Sequence, residues 1–230
     1  MVEQFDRLSK YSLDTDNKKV YAVRKEQWEN VVANGQKNDI IKADNEVYEG
    51  ANYKATLKSQ EKKIYKDIIE TAVVLDTKGN IVFSTSSGAN NYVKFTEEQL
   101  AKMQGNVLTH NHPSGSTFSY EDVRLMTGKD LKAIRATSEN ITYQLEKSGN
   151  NQNKDDFIRQ YSAAIAENKK ITDKLYYDLK NKYNKGELLK SEFASEVELV
   201  NEKYNKLNSE WLKDNAKKYG YRYSIIKGGS

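Results

Sequence analysis

The chain has 230 residues, 30% of them charged, and its 37 basic and 33 acidic side chains leave a formal net charge of +4. That near balance describes a mixed polar surface and speaks against nucleic-acid binding through bulk charge, while 16 Tyr, 6 Phe and 2 Trp are too many aromatics for a disordered chain. With no cysteine present, disulfides, Cys-ligated zinc, iron–sulfur clusters and cysteine nucleophiles are excluded.

The N-terminal stretch MVEQFDRLSKYSLD has no apolar core of a signal peptide, and no run approaches the ~18 apolar residues of a membrane span. The expected location is the cytoplasm. Residues 1–58 are polar and weakly patterned and read as an N-terminal extension, with a short helix suggested over 20–35. From residue 60 the pattern sharpens. KSQEKKIYKDII reads as a helix, ETAVVLD (70–76) as an apolar, β-branched strand, and NIVFSTSS (80–87) as its hairpin partner after the turn TKGN. Thr96 with Gln99 forms a capping-box pattern that opens the short helix EEQLAKMQ. NVLTH (106–110) reads as a buried strand, YEDVRLMTG as a helix opened by Ser119, and DLKAIRATS (130–138) with NITYQLEK (140–147) as a second hairpin.

Beyond residue 153 the period changes. Phe157, Tyr161, Ala164, Asn168, Ile171, Leu175 and Leu179 follow near-heptad spacing, as do Phe193, Val197, Val200, Tyr204, Leu207 and Trp211. Two helices joined at NKG predict an antiparallel, coiled-coil-like hairpin of roughly 40 Å at 1.5 Å per residue. YGYRYSIIK (219–227) alternates again and predicts a final strand returning to the sheet.

Both histidines of the chain, His110 and His112, lie in the stretch THNHPSG (109–115), which also holds the only proline, Pro113. Two histidines placed at random in such a chain fall two apart roughly one time in a hundred. At a strand end, residues two apart share a face, so both imidazoles aim at one point, as a metal ion requires. The Pro-Ser-Gly turn lets the next helix start close by, where Asp122 offers a carboxylate. Two histidines and one carboxylate leave a fourth position for water, the open arrangement of a catalytic zinc site. The Ser119–Asp122 pair also reads as an ordinary capping box. The tripeptide His-Asn-His is not the motif of HNH nucleases, which need a further histidine downstream.

The run His110-Asn111-His112-Pro113-Ser114-Gly115, followed by Ser119-x-x-Asp122, resembles the JAB/MPN (JAMM) zinc metalloprotease-like domain, and within it the RadC-like, phage-associated branch. The resemblance covers roughly residues 65–147 and the last strand. It implies an α/β (α+β) domain with a mixed sheet over 59–150 plus 218–227. Residues 151–217 would then be a long antiparallel helical-hairpin insertion before the last strand. It also implies Zn2+ held by His110, His112 and Asp122, with Glu70 as general base and Ser119 as oxyanion stabiliser. The loop between His112 and Asp122 holds nine residues, 113–121, one fewer than is usual in the family, which leaves Glu121 as the alternative ligand.

The function implied is a zinc-dependent peptidase or isopeptidase acting on a peptide or isopeptide-linked protein substrate. The competing expectation is a phage or mobile-element interaction protein, in a bacterial host or virion, that binds a phage or host protein through the helical hairpin. A RadC-like role in DNA metabolism is a weaker third.

Overall fold

In the computed structural model of the chain, the described residues are 51–88, 91–149 and 153–227. Most of the expected N-terminal extension, including the helix suggested over 20–35, lies outside them. The described residues form a mixed α+β structure built on a six-stranded sheet. In chain order the elements are α1 (Ala51–Ile64), β1 (Thr71–Leu75), β2 (Ile81–Ser86), α2 (Glu97–Ala101), β3 (Val107–Asn111), α3 (Tyr120–Gly128), β4 (Ala133–Thr137), β5 (Ile141–Lys147), α4 (Lys154–Asn184), α5 (Lys190–Asn215), a 3-10 turn (Ala216–Tyr219) and β6 (Tyr221–Lys227).

The strand order is β2-β1-β3-β4-β5-β6. Only β3 and β4 are parallel, and α3 bridges them. A parallel pair needs a crossover, whereas the hairpins β1–β2 and β4–β5 close through short turns. The last strand, β6, pairs antiparallel with β5, and α4 and α5 lie between these two strands in the chain.

Strands β1, β3 and β4 are buried on both faces, so they read as continuous apolar or mixed runs instead of clean alternations. Their alternate side chains still serve two different layers. On one face Val73 and Leu75 pack with Leu57 and Ile64 of α1. On the other, Ala72, Val74, Leu108, Ile134 and Ala136 pack with Phe118, Val123 and Met126 from α3 and its approach, and with Phe157, Tyr161 and Leu212. The first helix begins at Ala51, before the stretch KSQEKKIYKDII that suggested it, and ends at Ile64, within that stretch.

By backbone contacts the described residues divide into two compact units. One is Thr172–Asn201. The other holds the sheet, α1 to α3 and the sheet-proximal parts of α4 and α5. Within the larger unit Phe157 stacks on Trp211 at 6.1 Å between centroids and Asn168 donates to Asn208 at 2.9 Å. Within the smaller, Tyr176, Phe193 and Val197 form their own buried cluster.

The buried stripe of α4 departs from the heptad expectation. It runs through Phe157, Tyr161, Ile165, Asn168, Thr172, Tyr176 and Leu179, so that Ile171 is 41% exposed while Thr172 is 6% exposed. Those positions advance by 4, 4 and 3, an eleven-residue repeat from Phe157 to Asn168 to Leu179. An undistorted helix at 3.6 residues per turn sits closer to that repeat than to a strict heptad, which would require supercoiling. In α5 the stripe drifts likewise, from Phe193 and Val197 to Asn208 and Leu212. Among the described residues, no helix is long and apolar enough to cross a membrane.

Candidate metal centre

Strand β3 carries polar residues on both of its faces. Ala72 of β1 pairs with His110 and Val73 with Thr109. Paired residues share a face, so His110 and His112 fall on the α3 side and Thr109 and Asn111 on the α1 side. Beyond the strand, Gly115 closes a turn by donating its N–H to the His112 carbonyl at 2.9 Å. Its φ of 68° lies in the left-handed region that glycine adopts without penalty. The chain then reaches Ser119, the N-cap of α3.

The three expected ligands come together. His110 Nε2 lies 2.8 Å from His112 Nε2 and 3.1 Å from Asp122 Oδ1, and His112 Nε2 lies 3.6 Å from Asp122 Oδ2. Both imidazoles are buried, at 4% and 6% exposure. Ligand atoms about 2.0–2.1 Å from a tetrahedral ion are themselves roughly 3.3–3.4 Å apart. The three observed separations bracket that value, so a small displacement of each side chain seats an ion, and His110, His112 and Asp122 form a group able to bind a metal. Glu121, the alternative ligand, turns away to pair with Arg124 at 2.8 Å on the surface.

His112 is oriented by the loop that follows it. Its Nδ1 faces the Ser116 carbonyl at 2.8 Å. A carbonyl only accepts, so Nδ1 carries the hydrogen and Nε2 presents its lone pair to the centre. Burial, reinforced by the charge of His110, pushes the His112 imidazole down to about 4. Burial would lower His110 as well, but the charge and hydrogen bond of Asp122 outweigh it and raise His110 above the ordinary histidine value. For Asp122, burial opposes ionisation, yet the same contact with His110 holds the carboxyl below its usual range. Nδ1 of His110 is buried and makes no hydrogen bond of normal geometry.

Glu70 precedes β1, and extending the β1–β3 register by two residues sets it opposite His112. Its Oε1 lies 3.9 Å from His112 Nε2, and it is 8% exposed. Burial, with His110 lowering and Asp122 raising it further, pushes the Glu70 carboxyl up to about 7. Ser119 caps α3, as the Ser119–Asp122 pattern suggested. Its hydroxyl donates to Asp122 Oδ2 at 2.7 Å and accepts from the Asp122 N–H at 3.1 Å, completing the capping box. The hydroxyl proton is therefore directed at Asp122.

Sequence reasoning passed over three contacts that brace this centre. Asn111 bonds to the segment carrying Glu70, Tyr161 donates to the Phe118 carbonyl at 2.6 Å beside Ser119, and Glu61 pairs with Arg135 beneath the sheet.

No family model, curated protein or solved structure matches the chain.

Proposed function

We propose that the chain is a zinc-dependent peptidase or isopeptidase-like hydrolase of the JAB/MPN type, with α4 and α5 as an insertion before the last strand. The observation carrying this reading is the placement of Glu70. A carboxylate whose proton affinity lies near neutrality sits 3.9 Å from one of three converged ligand side chains. A general base works best with a pKa near the working pH.

Zinc bound by His110, His112 and Asp122 would supply Lewis acidity and make water acidic near pH 7. Glu70 would accept a proton from the attacking water and return it to the leaving amine. His112, its hydrogen fixed on the Ser116 carbonyl, would offer a lone pair without needing to lose a proton at neutral pH. Ser119 would serve a developing oxyanion only after its hydroxyl rotates away from Asp122. Two histidines and one carboxylate also suit iron(II), but a buried base beside the ligands favours hydrolysis.

Metal content by mass spectrometry on untagged protein tests the first step, beside His112→Ala. One zinc per chain, lost in the variant, is expected. Zinc-loaded protein should then cleave members of an internally quenched peptide and isopeptide panel, and Glu70→Gln should slow that cleavage about 10²–10⁴-fold. A chain that takes up no zinc would end this reading.

One observation favours the second reading, an interaction protein. In the smaller unit Tyr177 and Leu199 are each 56% exposed, and exposed apolar side chains of this kind would suit contact with a phage or host protein partner.

A further inference from the structure

We propose that Asn111 is a positioning residue whose side-chain amide fixes the segment Asp67–Thr71 and thereby holds Glu70 against the histidines. The use made of Glu70 rests on the hydrolase reading above, whereas the positioning rests on contacts alone.

The β1–β3 ladder runs from Leu75 opposite Val107 to Ala72 opposite His110 and stops there. The next pairs in that register would be Thr71 with Asn111 and Glu70 with His112. At that point the Asn111 side chain takes over from the backbone. Its Oδ1 accepts the Thr71 N–H at 2.7 Å, and its Nδ2 donates to the Asp67 and Ile69 carbonyls at 2.8 and 3.1 Å. Both amide donors are used, and the oxygen fills one of its two acceptor sites. The pattern also fixes which atom is oxygen, because an N–H needs an acceptor and two carbonyls need donors. Asn111 is fully buried.

These three bonds bracket Glu70 in the chain, two before it and one after. Thr71 Oγ1 closes the same turn onto Asp67 Oδ2 at 3.2 Å, and Ser86 of β2 donates to the Glu70 carbonyl at 3.0 Å. The Glu70 backbone is thus held from β2 on one side and from β3 on the other. Asn111 stands between the two histidines, so one residue couples the ligand strand to the base. Asp would offer no donor to the two carbonyls, and Leu would offer neither donor nor acceptor.

The test compares the full chain with Asn111→Ala, Asn111→Ser, Glu70→Gln and the double variant Asn111→Ala/Glu70→Gln, loaded with Zn2+ or Co2+. One zinc per chain should remain in Asn111→Ala, because no ligand is removed. Amide exchange at Thr71 should accelerate while the β3–β4 ladder keeps its protection. The Co2+ absorption band should move as it does in Glu70→Gln, with no further change in the double variant. On internally quenched peptides kcat should fall about 10–100-fold with KM nearly unchanged, and the double variant should be no slower than Glu70→Gln.

A Co2+ band that stays as in the parent protein while Glu70→Gln moves it overturns the proposal. Losses that multiply in the double variant do the same, as does unchanged exchange at Thr71. If Asn111→Ala does not fold, Asn111→Ser, which keeps a hydroxyl at the site, is read by the same criteria. A parent chain that binds neither metal ends the hydrolase reading and leaves the Thr71 exchange to decide the positioning.

Discussion

Glu61 of α1 and Arg135 of β4 form a two-point ion pair on the face of the sheet opposite the histidines, with Arg135 Nε 2.6 Å from Oε1 and Nη2 3.1 Å from Oε2. Both are buried, and Thr109, the neighbour of His110, donates to the same Oε1 at 3.1 Å. Gln144 takes the remaining arm of the guanidinium. Removing one partner strands the other as an uncompensated buried charge. Arg135→Met should therefore cost about 3–5 kcal/mol in denaturant unfolding. The double variant Glu61→Met/Arg135→Met should recover most of that loss. A double variant as unstable as the single one would show that the pair itself, and not the orphaned charge, carries the stability.

Glu70 should be a destabilising residue in protein stripped of metal. Its carboxyl titrates near 7 when folded against an ordinary value of 4.5. A folded pKa above the unfolded one gives stability that is full below about 4.5 and is lost as pH rises through about 7. In chelator-treated protein the Glu70 contribution should thus be smaller at pH 8 than at pH 5, while His112, held near 4 when folded, contributes in the opposite sense. The comparison that isolates Glu70 is therefore parent against Glu70→Gln at each pH. Glu70→Gln should remove the Glu70 part of this dependence and stabilise the protein at pH 8 by up to roughly 3 kcal/mol, at 1.36 kcal/mol per pKa unit. Unfolding midpoints at both pH values check it. Greater stability together with lost cleavage marks a site residue under functional constraint, whereas a residue kept for folding would destabilise when replaced.

Metal uptake should displace protons. His110 holds its proton more tightly than an ordinary histidine because Asp122 faces it, while His112 titrates near 4 and is already neutral. An ion at the centre replaces the proton between His110 and Asp122, so affinity should climb with pH until unbound His110 is neutral. Calorimetry in two buffers of different ionisation enthalpy should show net proton release on metal binding at pH 6, falling as pH rises. Release of none would mean that His110 is neutral before metal arrives.

The histidine pair was legible because strand periodicity alone places residues two apart on one face. Helix α3 was legible because Ser119 and Gly128 mark its ends. The stripe of α4 was misread because a search for apolar residues follows Ile171, whereas the helix buries the polar Thr172 one position on. Glu61 and Arg135, 74 positions apart, look like two surface charges until the fold pairs them. Asn111 is similar: its three partners lie more than 40 residues away or at that limit, and nothing local marks them. Buried polar pairing is a tertiary property, which a linear pattern registers as solvated surface.

Ser119 supports Asp122 with the proton that an oxyanion would otherwise attract. Its hydroxyl and its backbone N–H both reach Asp122 Oδ2 at 2.7 Å. Ser119→Ala removes the hydroxyl bond and the N-cap, so stability should fall by about 1 kcal/mol. Zinc affinity should fall about tenfold, because Asp122 loses a hydrogen bond that orients it as a ligand. Ser119→Gly should keep most of the helix stability, since glycine is tolerated at N-caps, yet show the same loss of affinity. Competition with a zinc-sensitive dye measures affinity, and thermal unfolding measures the cap. Unchanged affinity in both variants would show that the backbone N–H of residue 119 is enough to set Asp122, and would free the hydroxyl for the oxyanion.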